Sequence, residues 1–185
     1  MRLMKPVELD RISQTLAKGA CPICAYLKND QAALLRGELP PEQVTGLCNF
    51  HAWALAAAVD RQSVVLIFLN ALRRQSPPDH CSVCQHLVQR EVIHIRELIE
   101  QMSGGLVLDW MRRQGTFCRL HAEHVRELAP LKFHPVIDEI MDRSRQTLQT
   151  ELEDLLRHTE SGKGTGGGAL GRAAEFLVSQ RGINP

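Results

Sequence analysis

Four short stretches of this chain carry residues able to do chemistry: CPIC (21–24), CNFH (48–51), CSVC (81–84) and CRLH (118–121). Together they use all six cysteines. Six thiols and two imidazoles, grouped three to one, are what two closed Cys₃His centres need, because a tetrahedral ion takes four such donors. A disulfide framework explains less. The opening residues MRLMKPVELD lack the apolar stretch of a secretory signal. Disulfides also give no reason for a histidine three positions after both Cys48 and Cys118.

The stretches form an internal repeat. The CxxC pairs begin at 21 and 81 and the CxxH pairs at 48 and 118, so the second unit is about ten residues longer between its pairs. Gly46 and Gly115 precede the CxxH pairs, and Ala52 and Ala122 follow them. In sequence order this predicts one unit over about 19–74 and another over about 79–128, both within a duplicated metal-binding domain spanning 1–130. Cys21, Cys24, Cys48 and His51 would form one site, and Cys81, Cys84, Cys118 and His121 the other.

The elements that must position these ligands read as helices. Glycine and proline punctuate the chain at Gly19, Gly37, Pro40-Pro41, Gly46, Pro77-Pro78, Gly104-Gly105, Gly115, Pro130 and Pro135. Between them helix-forming Ala, Leu, Gln, Glu and Arg dominate, and strand-like alternation is almost absent. The pattern predicts helices over about 7–18, 22–36, 49–74, 82–102, 106–114, 119–128, 135–158 and 169–180. The fold class is all-α: a duplicated helical metal-binding unit followed by C-terminal helices. Val64–Leu69 resembles a buried strand in isolation, but its Ala/Leu-rich surroundings favour a buried helix.

Pro22 suits a first helical position, where its missing N–H costs nothing. Cys21 and Cys24 then share one face of a first turn, and Cys48 and His51 repeat the arrangement. Amides and dipole at a helix start favour thiolate over thiol. Two such ends facing each other would clamp their helices through an ion, coupling binding to folding. Two zinc ions are the default cofactors; iron or an iron–sulfur cluster takes similar soft ligands and is the alternative.

CPIC followed by GLCNFHAW, then a second CxxC and CxxH, resembles a bacterial and archaeal family of unknown function with tandem CPxC and G-[FL]-C-x-x-H-A-W motifs. The resemblance covers residues 20 to about 125. It implies Cys21, Cys24, Cys48 and His51 as a first cluster, and Cys81, Cys84, Cys118 and His121 as a second. CSVC departs from the pattern by lacking its proline. The family implies no activity.

The remaining features exclude more than they add. A net charge of +1, from 22 basic and 21 acidic residues, argues against nucleic acid. The apolar runs 52–59 and 64–69 fall short of the roughly 20 residues that span a bilayer, so a cytoplasmic protein is expected. His80, His86, His94 and His124 read as helix-face residues, with His124 a possible substitute ligand one turn beyond His121. Glu91 and His94 make one E-x-x-H pair without the second that a di-iron bundle needs. Trp53 and Trp110 read as core packing. A long helix (131–160) precedes a glycine-rich linker, SGKGTGGGA (161–169), lacking P-loop spacing. A tethered helix follows (170–185), with Leu170, Ala173, Ala174, Leu177 and Val178 on one stripe. It can dock on its own body or serve a homo-oligomer or protein partner.

No catalytic constellation emerges. The expected function is a helical metalloprotein with structural zinc supporting an interaction or regulatory role. An iron or iron–sulfur protein for electron transfer or cofactor assembly is the alternative, and a zinc–thiolate redox switch the third reading.

Overall fold

The structure is a computed structural model that describes residues 20–34, 36, 40, 43–44, 46–57, 61–73, 80–160 and 167–178. The helix expected over 7–18 and most of the linker lie outside them. The described residues are helical with no strand: α1 (Pro22–Ala33), α2 (Asn49–Ala56), α3 (Arg61–Arg73), α4 (Ser82–Met102), α5 (Leu106–Gln114), α6 (Arg119–Leu128), α7 (His134–Glu160) and α8 (Gly167–Val178). A 3₁₀ turn at Leu131–Phe133 leads into α7. No helix among the described residues is long and apolar enough to cross a membrane.

The single helix expected over 49–74 is two. α2 ends at Ala56, capped by Ala57, whose N–H still bonds Trp53 O, and α3 begins at Arg61. Val64–Leu69 is helical, with Val64 and Ile67 facing the core. Trp53 is not core: it is 73% exposed, because α2 turns His51 and Leu55 inward and leaves Trp53 on the opposite side.

The chain divides into two compact units. One spans 26–94; its core holds Leu27, Leu34, Val44, Leu55, Val64, Ile67, Val83 and Leu87. An ion pair joins α1 to α4 within it. Asp30 Oδ2 accepts from Arg90 Nε at 2.9 Å and from His94 Nε2 at 2.7 Å. The Tyr26 ring lies 5.0 Å from that of His94.

The other unit takes in the residues up to 25 and those from 95 to 183. Ile95, Leu98, Met102, Met111, Phe117, Val125, Ile137 and Ile140 fill its core. α7 packs against α5 and α6, and α8 packs against α6 and α7. Arg143 on α7 reaches the C-terminal end of α5, donating to Met111 O, Arg112 O and Gly115 O. It thereby supplies donors to main-chain carbonyls around a helix C-terminus and fixes the loop leading to Cys118. Gly115 is required here by close approach, since a Cβ would sit 2.7 Å from Met111 O and 2.8 Å from Met111 Cα.

The glycine run at 167–168 belongs to α8, so the helix starts earlier than the linker reading expects. Its orientation also differs from the predicted stripe. Leu170 and Leu177 are 58% and 62% exposed and Ala174 is exposed, whereas Ala169, Ala173 and Phe176 are half-buried. The pair Arg172–Glu151 ties α8 to α7 at 2.7 Å.

Candidate metal centres

Each ligand pair occupies the same local position. Cys48 and Cys118 are the N-caps of α2 and α6, with φ/ψ of −76°/166° and −73°/158°. This places His51 and His121 one turn in, on the same face as the capping thiol. Cys118 Sγ accepts from the His121 amide at 3.5 Å. Cys21 and Cys81 directly precede α1 and α4, which bring Cys24 and Cys84 round in the first turn. All four pairs thus stand at helix starts, where free amides favour anionic sulfur.

The eight residues converge in two groups, but with partners exchanged relative to sequence order. Cys21 and Cys24 meet Cys118 and His121, and Cys48 and His51 meet Cys81 and Cys84. In each group the four ligand atoms lie within 4.8 Å of one another. The expected sites Cys21/Cys24/Cys48/His51 and Cys81/Cys84/Cys118/His121 are therefore replaced by an interleaved set. The inner two pairs (48–51 and 81–84) close the centre of the 26–94 unit, and the outer two close that of the other unit. Spacing within a pair fixes which side chains share a face. Which pairs meet is set by the path of the chain between them.

The inner centre has a built junction. Ser82 N–H donates to Gly46 O at 3.0 Å, and Gly46 N–H donates to Ser82 Oγ at 3.3 Å. Ser82 occupies the position of Pro22 in CPIC, and a proline could make neither bond. The departure of CSVC from CPxC thus joins the two ligand pairs of this centre. The Gln31 side-chain amide lies 3.5 Å from His51 Nε2, leaving Nδ1 for the thiols.

Donor spacings test whether one ion fits. With Zn–S of about 2.3 Å and Zn–N of about 2.05 Å, a tetrahedron has S···S edges of about 3.8 Å and S···N edges of about 3.55 Å. The inner centre has Cys48–Cys84 at 3.8 Å, and His51 Nδ1 at 3.3, 3.4 and 3.4 Å from Cys48, Cys81 and Cys84. The outer centre has Cys24–Cys118 at 3.7 Å, and His121 Nδ1 at 3.5, 3.3 and 3.1 Å from Cys21, Cys24 and Cys118. The S···S edges match and the S···N edges are somewhat shorter than ideal, so each group encloses a space the size of one ion held by three sulfurs and one Nδ1. Those S···S edges are far from the roughly 2.05 Å of a disulfide.

Electrostatics point the same way. Burial pushes the Cys21 thiol up, but hydrogen bonds from Cys118, Cys24 and His121 outweigh it and hold Cys21 well below the ordinary thiol value. Cys24 is driven up by its hydrogen bonds to Cys118 and Cys21. Cys118 is raised as well, chiefly by its bond to Cys21. Burial opposes charge on His121, yet the bonds to Cys118 and Cys21 raise it to about 9. In the inner centre burial raises Cys81, but the His51 bond and its neighbours bring it down to about 6. Cys84 is pushed up to about 12 by burial and by Cys81. Each thiol cluster therefore sustains little negative charge by itself, and a divalent cation would release the further protons.

The centres differ in exposure. Cys21, Cys24, Cys118 and His121 are at most 3% exposed, whereas Cys48, Cys81 and Cys84 are half-buried around a buried His51. Cys21 and Cys118 also form part of the wall of a cavity of about 490 Å³ beneath α8. His80, His86, His94 and His124 join neither group. His94 is buried on Asp30, a pairing 64 residues apart that nothing local announces. Glu91 is buried too but contributes to neither centre.

Comparisons with family models, with curated proteins and with solved structures returned no match.

Proposed function

We propose that this chain is a zinc protein whose two Cys₃His centres are structural and support binding of a protein partner. The observation that carries the reading is the convergence of three Sγ atoms and one Nδ1 within 4.8 Å in both groups, with an S···S edge in each at the length found in a zinc tetrahedron. An iron–sulfur cluster would insert its own iron and sulfide between the thiols. Convergence within 4.8 Å therefore favours one ion per centre over a cluster. Zinc would supply no redox chemistry here, only four bonds that hold helix starts together. Duplication of the motif and kinship with the tandem CPxC family belong to the same proposal.

The interaction role is supported by the outer face of α3. Val65, Leu66, Leu69 and Leu72 are 54%, 45%, 40% and 81% exposed and fall on one side of the helix. Metal analysis with an absorption spectrum on anaerobically purified protein tests the metal. Two zinc per chain and no visible band are expected, whereas iron with visible absorbance would overturn the reading.

A second reading rests on the half-buried thiols of the inner centre. As a redox switch, two of its thiolates would give two electrons to peroxide, forming a disulfide as peroxide is reduced to water and the ion is released. Peroxide should then release one zinc per chain; retention of both sinks this reading.

A further inference from the structure

The outer centre poses a problem of access, since its four ligands are almost wholly covered. A cavity of about 490 Å³ reaches that cover. Cys21 and Cys118 contribute to one wall, and Glu151, Arg172, Glu175 and Phe176 to another. Three of those last four residues belong to α8, so this helix closes the cavity over the thiols. Its hold is shallow, with Ala169, Ala173 and Phe176 only half-buried, and it includes one polar tie. Arg172 Nε and Nη2 both donate to Glu151 Oε2, at 3.2 and 2.7 Å, from a pair whose side chains are 45% and 34% exposed.

The polar groups of the wall are unevenly satisfied. Arg143 is committed to three main-chain carbonyls and Arg172 to Glu151, while the Ser144 hydroxyl donates to Ile140 O. Glu175 Oε1 is different: it is buried and has no hydrogen-bond partner among the described residues. A buried carboxylate oxygen without a donor is costly. A hydrated divalent cation supplies both the charge and the water donors it lacks.

We infer that this cavity is the route by which metal reaches and leaves the buried centre, that α8 is the closure on the route, and that Glu175 receives the hydrated ion on the way in. The inference rests on the zinc reading of the two centres. It makes α8 a brake on one centre only. The inner centre, with its half-buried cysteines, exchanges its ion independently of the tail.

Release of zinc from the full-length loaded protein to an excess of a chromophoric chelator reads both centres at once. Wild type should show two phases of one zinc each, and Cys48→Ser should abolish the faster. Arg172→Glu sets two carboxylates against each other, and the slow phase should accelerate about tenfold while the fast phase changes by less than about twofold. Arg172→Glu combined with Glu151→Arg restores the pair with reversed charges and should return the slow phase to near its original rate. Glu175→Gln should slow reloading of the buried centre by roughly threefold without altering the final stoichiometry. Two bound zinc with a slow phase unmoved by Arg172→Glu would overturn the closure. Equal acceleration of both phases would overturn it as well, since that marks general destabilisation. Reloading untouched by Glu175→Gln would remove Glu175 from the route. A chain that holds no zinc would overturn the metal reading itself, and this inference with it.

Discussion

Replacing Gly115 by alanine tests how tightly the outer centre is positioned. The added Cβ would lie 2.7 Å from Met111 O and Sδ and 2.8 Å from Met111 Cα, where ordinary contact begins near 3.4 Å. Two of those atoms are backbone in the last turn of α5, and Met111 is fully buried, so the clash cannot be relieved by swinging a surface side chain. The loop must shift by roughly 0.7 Å, an overpacking cost of about 1–3 kcal/mol. The shift pulls Gly115 O away from Arg143 Nη2, now 2.7 Å distant, and weakens a charged hydrogen bond worth about 1.5–3 kcal/mol. Against this, φ of −67° and ψ of 150° suit alanine, which recovers about 0.4–1 kcal/mol from the unfolded chain. The net loss is about 2–4 kcal/mol, or a Tm lower by roughly 5–15 °C for a chain of this size. Gly171→Ala is the matched control. It lies within α8 with nothing within 4 Å of its Cβ, and should gain about 0.5–1 kcal/mol. Thermal unfolding followed by circular dichroism on metal-loaded protein measures both. A Gly115→Ala midpoint within about 2 °C of wild type would show that the loop takes the added Cβ without moving, against this expectation.

Ser82→Pro restores a CPxC motif but removes both bonds to Gly46; we expect about 1–2 kcal/mol weaker metal binding at the inner centre alone in chelator competition, and equal weakening of both centres would contradict this. In metal-free protein under native conditions, alkylation mapped by mass spectrometry should modify Cys48, Cys81 and Cys84 before Cys21, Cys24 and Cys118; the reverse order would place the accessible centre wrongly. Burial pushes the Asp30 carboxyl up, but Arg90 and His94 outweigh it and hold it below its ordinary 3.8. A depressed acid stabilises the fold above its unfolded pKa and loses that contribution as pH falls through the folded value. The stability gap between wild type and Asp30→Asn should therefore be full at pH 7 and shrink below about pH 4, with a gap independent of pH as the contrary result.

The local half of this architecture was legible in the sequence. Pro22 marked the start of α1, glycines marked the approaches to Cys48 and Cys118, and cysteine spacing placed each ligand pair on one helix turn. What the spacing could not carry was the partnership between pairs. CPIC stands nearer in sequence to CNFH than to CRLH, yet closes with the latter across 94 residues. The serine of CSVC held the one local sign of a difference, and it gains meaning only once Gly46 is seen opposite it. Trp53 sits in an almost wholly apolar run, AWALAAAV, where no periodicity reveals which side is buried. On α8 the stripe through Leu170 and Leu177 competes with one through Ala169, Ala173 and Phe176. The observed face brings Arg172 onto Glu151, a pair 21 residues apart on different helices. Side-chain pairings of this kind leave no trace in composition or period.

Metal stoichiometry of double variants tests the interleaved pairing most directly. Each centre is lost when any of its ligands is lost, so two substitutions in one centre cost one ion and two in different centres cost both. Cys21→Ser with Cys118→Ser should retain one ion per chain in native mass spectrometry, and Cys21→Ser with Cys48→Ser should retain none. One ion held by the Cys21/Cys48 variant, with none held by the Cys21/Cys118 variant, would restore the sequence-order sites and exclude the interleaved ones.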